Sequence, residues 1–144
     1  MSAPETLRVG VDLVAVEEVA ASLDHFGDRY VTRLFTAHEI ETCRTAGTSG
    51  EGRAGYAVES LAARFAAKEA VVKVLRPIEM QPDWRTIEIH RMTGGWCEIR
   101  LSGQAAELAA DAGIGELAVS LSHESTMATA VVVGRCTPRG EGDR

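Results

Sequence analysis

Positive charge is what this sequence is short of. Fifteen Lys and Arg stand against 21 Asp and Glu, a net charge of −6. Broad nucleic-acid binding needs a basic surface, so that function class is excluded. No apolar run approaches the roughly 20 residues that span a bilayer. The first residues, MSAPETLRVG, carry no basic region followed by an apolar stretch, and so do not read as a signal peptide. Cysteine is scarce too: Cys43, Cys97 and Cys136 are odd in number, far apart and form no CxxC pair. That argues against a disulfide framework and predicts reduced thiols in the cytoplasm. No internal repeat is present. What remains is ordinary for a soluble globular protein: 144 residues, 45% hydrophobic and 25% charged. This is enough for one domain with a sizeable core, over 1–136, with 137–144 as a disordered tail.

The stretch LAARFAAKEAVVKVL, Leu61 to Leu75, reads as a long helix built from strong helix formers. Ser60 is placed to cap its start, and Pro77 limits its end. On a helical wheel Arg64 and Lys68 fall with Leu75 on the expected wet stripe. Glu69 and Lys73 fall on the other side, among Leu61, Ala62, Phe65, Ala66 and Val72. A carboxylate and an ammonium among apolar side chains cost energy unless paired or bound to an ion. A structural salt bridge between them, in the favoured Glu-to-Lys order, is the plain alternative.

Leu7 to Ala15 alternates, with Leu7, Val9, Val11, Leu13 and Ala15 on one strongly apolar face. Asp12 is its only acidic residue, and aspartate is a poor strand former. Either it is a partly exposed edge carboxylate or helix cap, or it has chemistry to do. A helix follows from Val16 to Phe26, ending at Gly27. A short helix covers Asp28 to Leu34. Thr36 and Glu39 have the capping-box spacing and open another short helix that reaches Arg44, with His38 on its solvated surface. Thr45 to Gly55 is a flexible glycine-rich loop without a phosphate-cradling pattern. After the long helix come a proline-bounded loop and a hairpin, Arg85 to Met92 and Trp96 to Leu101, turning at Gly94-Gly95. An alanine-rich helix, Gln104 to Ala112, ends at Gly113. Strands cover Leu117 to Leu121 and Met127 to Gly134, joined by a polar turn, Ser122 to Thr126. The class is α+β: a small antiparallel sheet packed with a long central helix and shorter helices.

Converging carboxylates repel unless a cation or shared proton lies between them. Asp12 and Glu69, if they meet, suit Mg²⁺, which takes one or two carboxylates plus phosphate and water oxygens. Lys73, one turn after Glu69, could then reach a phosphate oxygen, with Lys68 and Arg64 serving phosphates further out. His123 stands in the polar turn, where a capping or surface role is the plain alternative. Together these residues suggest phosphoryl-type transfer, in which positioning and charge neutralisation supply most of the rate.

Three segments, VGVDLVAVEEV at 9–19, LAARFAAKEAVVKVL at 61–75 and VSLSHESTMATAVVV at 119–133, resemble those of the holo-acyl-carrier-protein synthases, the small 4′-phosphopantetheinyl transferases. FTAHEIETC at 35–43 is a weaker fourth match. The resemblance implies that fold and a reaction: the phosphopantetheine arm of coenzyme A moves to a serine of an apo acyl carrier protein, releasing adenosine 3′,5′-bisphosphate. It implies Asp12 and Glu69 as Mg²⁺ ligands and Glu69 as an aid in removing the serine proton. Lys73 neutralises the pyrophosphate, Arg64 contacts the 3′-phosphate or adenosine end, and Ser122 and His123 line the coenzyme A pocket. It also implies a homotrimer with sites between subunits, which an almost wholly apolar central helix would fit.

Two features depart from the family. Its members usually carry basic residues on the first helix, where VEEVAASLDHF has three acidic residues and no Lys or Arg; Arg29, Arg33 and Arg44 follow. A carrier from polyketide rather than fatty-acid biosynthesis is one implication. The family's central helix also commonly runs into a glycine-containing turn, where Arg76-Pro77-Ile78 stands here. Two other classes use the same residues: a catalytically idle coenzyme A-binding or assembly module, and a Mg²⁺-dependent phosphate-ester hydrolase.

Overall fold

The computed structural model describes residues 4–44 and 55–137. Strand β1 (Thr6–Ala15) runs directly into α1 (Val16–Phe26), followed by α2 (Asp28–Leu34) and α3 (Ala37–Cys43). The long helix α4 (Val58–Leu75) comes next, then a single 3-10 turn at Trp84–Thr86. The chain closes with β2 (Ile87–Arg91), β3 (Cys97–Leu101), α5 (Gly103–Ala112), β4 (Ile114–His123) and β5 (Met127–Cys136). One sheet has the order β1-β5-β4 and a second is the hairpin β2-β3; every pairing is antiparallel. The α+β class is as expected.

Local chemistry accounts for most boundaries. Gly27, in a positive-φ conformation, separates α1 from α2. Thr36 and Glu39 make the reciprocal capping box at the start of α3. Gly113 ends α5 in the left-handed conformation that glycine adopts at least cost. Helix α4 begins at Val58, with Ala57 as its N-cap and no side-chain cap, so Ser60 lies inside the first turn and does not cap it. At the other end Arg76 closes the helix at φ 52°, ψ 57°, and its N–H reaches Val72 O at 2.9 Å. A non-glycine residue thus takes the left-handed position that favours glycine. At Arg76-Pro77-Ile78 this backbone strain is carried by an arginine.

Helix α4 packs chiefly on β1 and β5. Two glycines let it come close. A Cβ on Gly10 would lie 2.2 Å from the backbone oxygen of Ala70, and one on Gly134 would lie 2.8 Å from Val74 Cγ1. Gly10→Ala is expected to push α4 off β1 and to destabilise the fold by at least the roughly 1–3 kcal/mol of an overpacked core. Urea unfolding measures this directly. An unchanged midpoint would mean that the close approach is dispensable.

The buried faces differ from the sequence reading in two places. On α4 the expected wet stripe is the inside of the protein: Arg64, Lys68 and Leu75 are all buried, Lys68 completely. Glu69 is half-buried and Lys73 exposed. The wheel located the faces but not which one the other elements cover, because the apolar residues run nearly all round. On β1 the apolar face is turned outward: Leu7, Val9, Val11 and Leu13 are between 52% and 69% exposed. The other face, Gly10, Asp12 and Val14, lies against α4 and the core.

Lys68 is anchored by a buried ion pair. Its Nζ lies 2.7 Å from Glu39 Oε1, both side chains being fully buried. The ammonium also donates to Trp84 O at 2.9 Å and to Ile87 O, and stands 5.6 Å from the centre of the Phe35 ring. Glu39 Oε1 accepts from Thr36 N, and Oε2 accepts from Ile89 N at 3.0 Å. Burial pushes the Lys68 pKa down, and Glu39 opposes that shift. One pair so ties α3, α4 and the β2-β3 hairpin together. Lys68 is a structural residue and not a phosphate ligand.

Strands β4 and β5 are longer than expected. Ser122 and His123 belong to β4, opposite Thr129 and Ala128, so the polar turn shrinks to residues 124–126. His38 is exposed, yet its ring stacks on that of His90 at 3.9 Å. The hairpin turning at Gly94-Gly95 is as read, with β2 shortened by the 3-10 turn. All three cysteines are free. Among the described residues no helix is long and apolar enough to cross a membrane. The glycine-rich loop, apart from Gly55, and the tail from residue 138 lie outside the described residues.

Candidate active site

Asp12 and Glu69 do come together. β1 places Asp12 opposite Ala130, with its side chain toward α4. Its backbone oxygen accepts from Thr129 Oγ1 at 2.8 Å, which holds the strand where the carboxylate emerges. The close packing at Gly10 brings the adjoining stretch of α4 alongside. Glu69 then feels Asp12. Its pKa is raised, first by burial and next by the Asp12 charge, with Lys73 pulling it back.

Lys73 Nζ donates to Val11 O at 2.7 Å and lies 3.2 Å from Asp12 Oδ1. The intrahelical Glu69–Lys73 salt bridge is therefore not the arrangement; the lysine pairs across to the strand. Side-chain exposure is 52% for Lys73 and 19% for Asp12, so the pair opens to solvent on one side. Two repelling carboxylates beside an accessible ammonium make a site that a hard cation and an anionic group would jointly relieve.

Arg64, Ser122 and His123 are arranged otherwise. Arg64 lines a cleft of 370 Å³ with Ser60, Arg91, Trp96, Ser120 and His123. It is buried; Nη1 donates to Ser60 O at 3.3 Å, and Nε has no acceptor among the described residues. His123 Nδ1 is 3.5 Å from Glu59 Oε2. Ser122, one residue away on β4, points to the other sheet face and lines a separate 240 Å³ hollow with Leu13 and Thr129. Along α4, Arg64 lies about 140° around the helix from Glu69 and about 180° from Lys73, at 100° per residue. One chain therefore presents two separate groups: Asp12, Glu69 and Lys73 on one side of α4, and the Arg64–His123 cleft on another. A wider cleft of 770 Å³ beside the turn after α4 contains none of these residues.

The family model of the 4′-phosphopantetheinyl transferase superfamily matches residues 8–130. The holo-[acyl-carrier-protein] synthase of Desulforudis audaxviator is 41% identical over 127 residues, covering 88% of this chain and 91% of its own. The chain belongs to the holo-acyl-carrier-protein synthase type of 4′-phosphopantetheinyl transferase. Solved structures agree with that membership. The Chronobacterium ammoniagenes ACPS–CoA complex is 30% identical with a TM-score of 0.75, over 93% of this chain and 99% of that one. The Helicobacter pylori holo-[acyl-carrier-protein] synthase in complex with coenzyme A is 26% identical with a TM-score of 0.71, over 88% and 99%.

The residues of this chain left open whether Asp12 and Glu69 meet; the structure pairs Asp12 with Lys73 and brings the Asp12 charge to bear on Glu69. Sequence reasoning missed Arg91 and Trp96 in the Arg64 cleft, which belong to no motif; a hairpin residue following Gly94-Gly95 was the only signal available.

Proposed function

We propose that this chain transfers the 4′-phosphopantetheine arm of coenzyme A to a serine of an apo acyl carrier protein in the cytoplasm. The reaction depends on Mg²⁺ and releases adenosine 3′,5′-bisphosphate. The observation that carries this is the convergence of Asp12, Glu69 and Lys73 where α4 presses on β1.

The donor set fits Mg²⁺: hard carboxylate oxygens, held near enough for Asp12 to raise the Glu69 pKa. Among the described residues no cluster of three His, Cys, Asp or Glu is suited to a metal, so phosphate and water oxygens would complete the shell. When bound, the ion would neutralise charge on the pyrophosphate. Glu69, its basicity raised by burial, accepts the serine proton. The serine oxygen forms a bond to the phosphorus that carries the pantetheine arm. The bond from that phosphorus to the bridging oxygen breaks, and the bisphosphate leaves with it. Lys73 turns from Asp12 toward that pyrophosphate and offsets the charge of the leaving group.

The two groups diverge around α4, so each acts as a half-site and one coenzyme A is held between two copies of the chain. The outward apolar face of β1, with Val131 beside it, supplies the contact surface. This replaces the central helix as the argument for a homotrimer, because α4 is covered within its own chain. Ser122, on the same outer sheet face, then lies at that contact. Arg29 and Arg33 on α2 and Arg44 after α3 are exposed and serve as docking charges for the carrier, while the acidic α1 favours a carrier other than the usual fatty-acid one.

Intact-protein mass spectrometry tests this. Apo carriers of fatty-acid and polyketide type are incubated with the protein, coenzyme A and Mg²⁺, with and without chelator. A gain of one phosphopantetheine arm that chelator abolishes is expected. No gain on any carrier, with coenzyme A still bound, would make the chain an idle binding module. Bisphosphate released without a carrier would make it a hydrolase.

A further inference from the structure

The turn that closes α4 holds its residue in a conformation that costs energy. Arg76 stands at φ 52°, ψ 57°, and among the described residues it is the one non-glycine with positive φ. Pro77 adds to the cost, because a residue before proline is driven toward extended backbone. Glycine would sit here more easily, so this side chain is kept against the preference of the backbone. An outlier of this kind points to function. The guanidinium is exposed and makes no hydrogen bond or ion pair among the described residues. Arg76 follows Glu69 by seven positions, about two turns and about 10 Å further along the same side of α4. It lines the 770 Å³ cleft beside the turn. On the loop beyond it Ile78 is 97% and Met80 69% exposed, two apolar side chains left uncovered at that cleft. Arg8 of β1, which donates to Val74 O, puts a second cation at the α4 end. Glu79 on the loop, with Glu107 and Asp111 on α5, makes the rest of the lining acidic.

We infer that this cleft is part of the carrier-protein interface, and that Arg76 is a specificity-determining residue that pairs with a carboxylate of the carrier. This assignment deepens the transferase reading and rests on it. For its serine to reach Glu69, the carrier lies over the open side of α4, where Glu69 is half-buried and Lys73 and Arg76 are exposed. A stable protein contact takes roughly 800 Å² of each partner, a patch about 30 Å across, so a cleft about 10 Å from Glu69 falls beneath it. Helix α1 offers the carrier no Lys or Arg, and Lys73 is already paired with Asp12. Arg76 supplies the cation on this side. Ile78 and Met80 supply the apolar contact, and the thioether adapts to the surface it meets. Glu79 and Glu107 select further. A carrier whose docking face is acidic throughout is repelled there, whereas one that sets a lysine or arginine beside the carboxylate is accepted.

The test follows transfer to apo acyl carrier proteins of fatty-acid and polyketide type by wild type, Arg76→Gly, Arg76→Lys and Glu107→Lys. Arg76→Gly removes the guanidinium and relieves the backbone, so its urea midpoint is expected at or above that of wild type. In transfer it should raise the KM for the carrier about tenfold, the lower end for a hydrogen bond to a charged group. Its carrier KM should also depend less on salt, while the KM for coenzyme A stays as in wild type. Arg76→Lys recovers most of the loss. Glu107→Lys lowers the KM for the more acidic of the carriers. A wild-type carrier KM and salt dependence in Arg76→Gly would overturn this inference. A rise in the KM for coenzyme A alone would overturn it too, by placing the guanidinium on the coenzyme. In both results wild type still modifies a carrier, so the transferase reading stands. A wild type that modifies no carrier would remove that reading and this inference with it.

Discussion

Glu69→Gln is expected to abolish transfer while the chain stays folded. The substitution removes one of two oxygen donors for the metal and the group that accepts the serine proton. General base catalysis alone contributes about 10²–10⁴-fold, so a loss of at least ~10³-fold is expected in single-turnover transfer followed by mass spectrometry. Retained activity would remove Glu69 from both roles. The raised Glu69 pKa of the metal-free protein fixes a further sign. For stability, the folded pKa lies above the unfolded one, so the charged form opposes folding at neutral pH, and this opposition fades as pH falls through the folded value. Metal-free Glu69→Gln is therefore at least as stable as wild type at pH 7. Mg²⁺ should raise the Tm of wild type and leave that of the variant where it is.

Glu39→Ala should be the most destabilising single change in the described core. It strands the Lys68 ammonium in a fully buried position and leaves the Ile89 N–H without its acceptor. Removing one partner of a buried pair costs about 3–5 kcal/mol. Urea unfolding of Glu39→Ala, beside the double replacement Glu39→Met with Lys68→Met, distinguishes pairing from packing. The double variant should recover most of the loss, since neither charge is then buried. A cost below about 1 kcal/mol for Glu39→Ala would show the pair to be incidental.

The pair also shows where sequence reading stops. Both residues were in view, Glu39 as part of a capping box and Lys68 as a surface cation. The cap is real, and its glutamate does two tasks: Oε1 closes the box and meets Lys68 as well. Thirty-nine and 68 are remote in sequence and share no periodicity, so only the packing of α3 on α4 joins them. Arg64 was misplaced for a related reason. A helix with apolar residues all round has no single wet side, and its charges go wherever a partner or a cleft receives them. Trp96 was passed over because one aromatic after a turn has no pattern; its seat on Gly94 is visible only in three dimensions.

The order of elements, the capping box, the glycine stops and the class of fold were determined by the sequence itself, because each depends on neighbours within a few residues. The same holds for the family segments, which named Asp12, Glu69 and Lys73. The tertiary structure decided the rest. It turned the apolar face of β1 outward and the polar one toward α4, since the two faces of a strand are equivalent until something packs on one. By bringing α4 against β1 at Gly10 it made two carboxylates 57 positions apart into neighbours. And it set Arg64 and His123 around the helix from them, so that what reads as one list of residues along the chain is two separate groups in space.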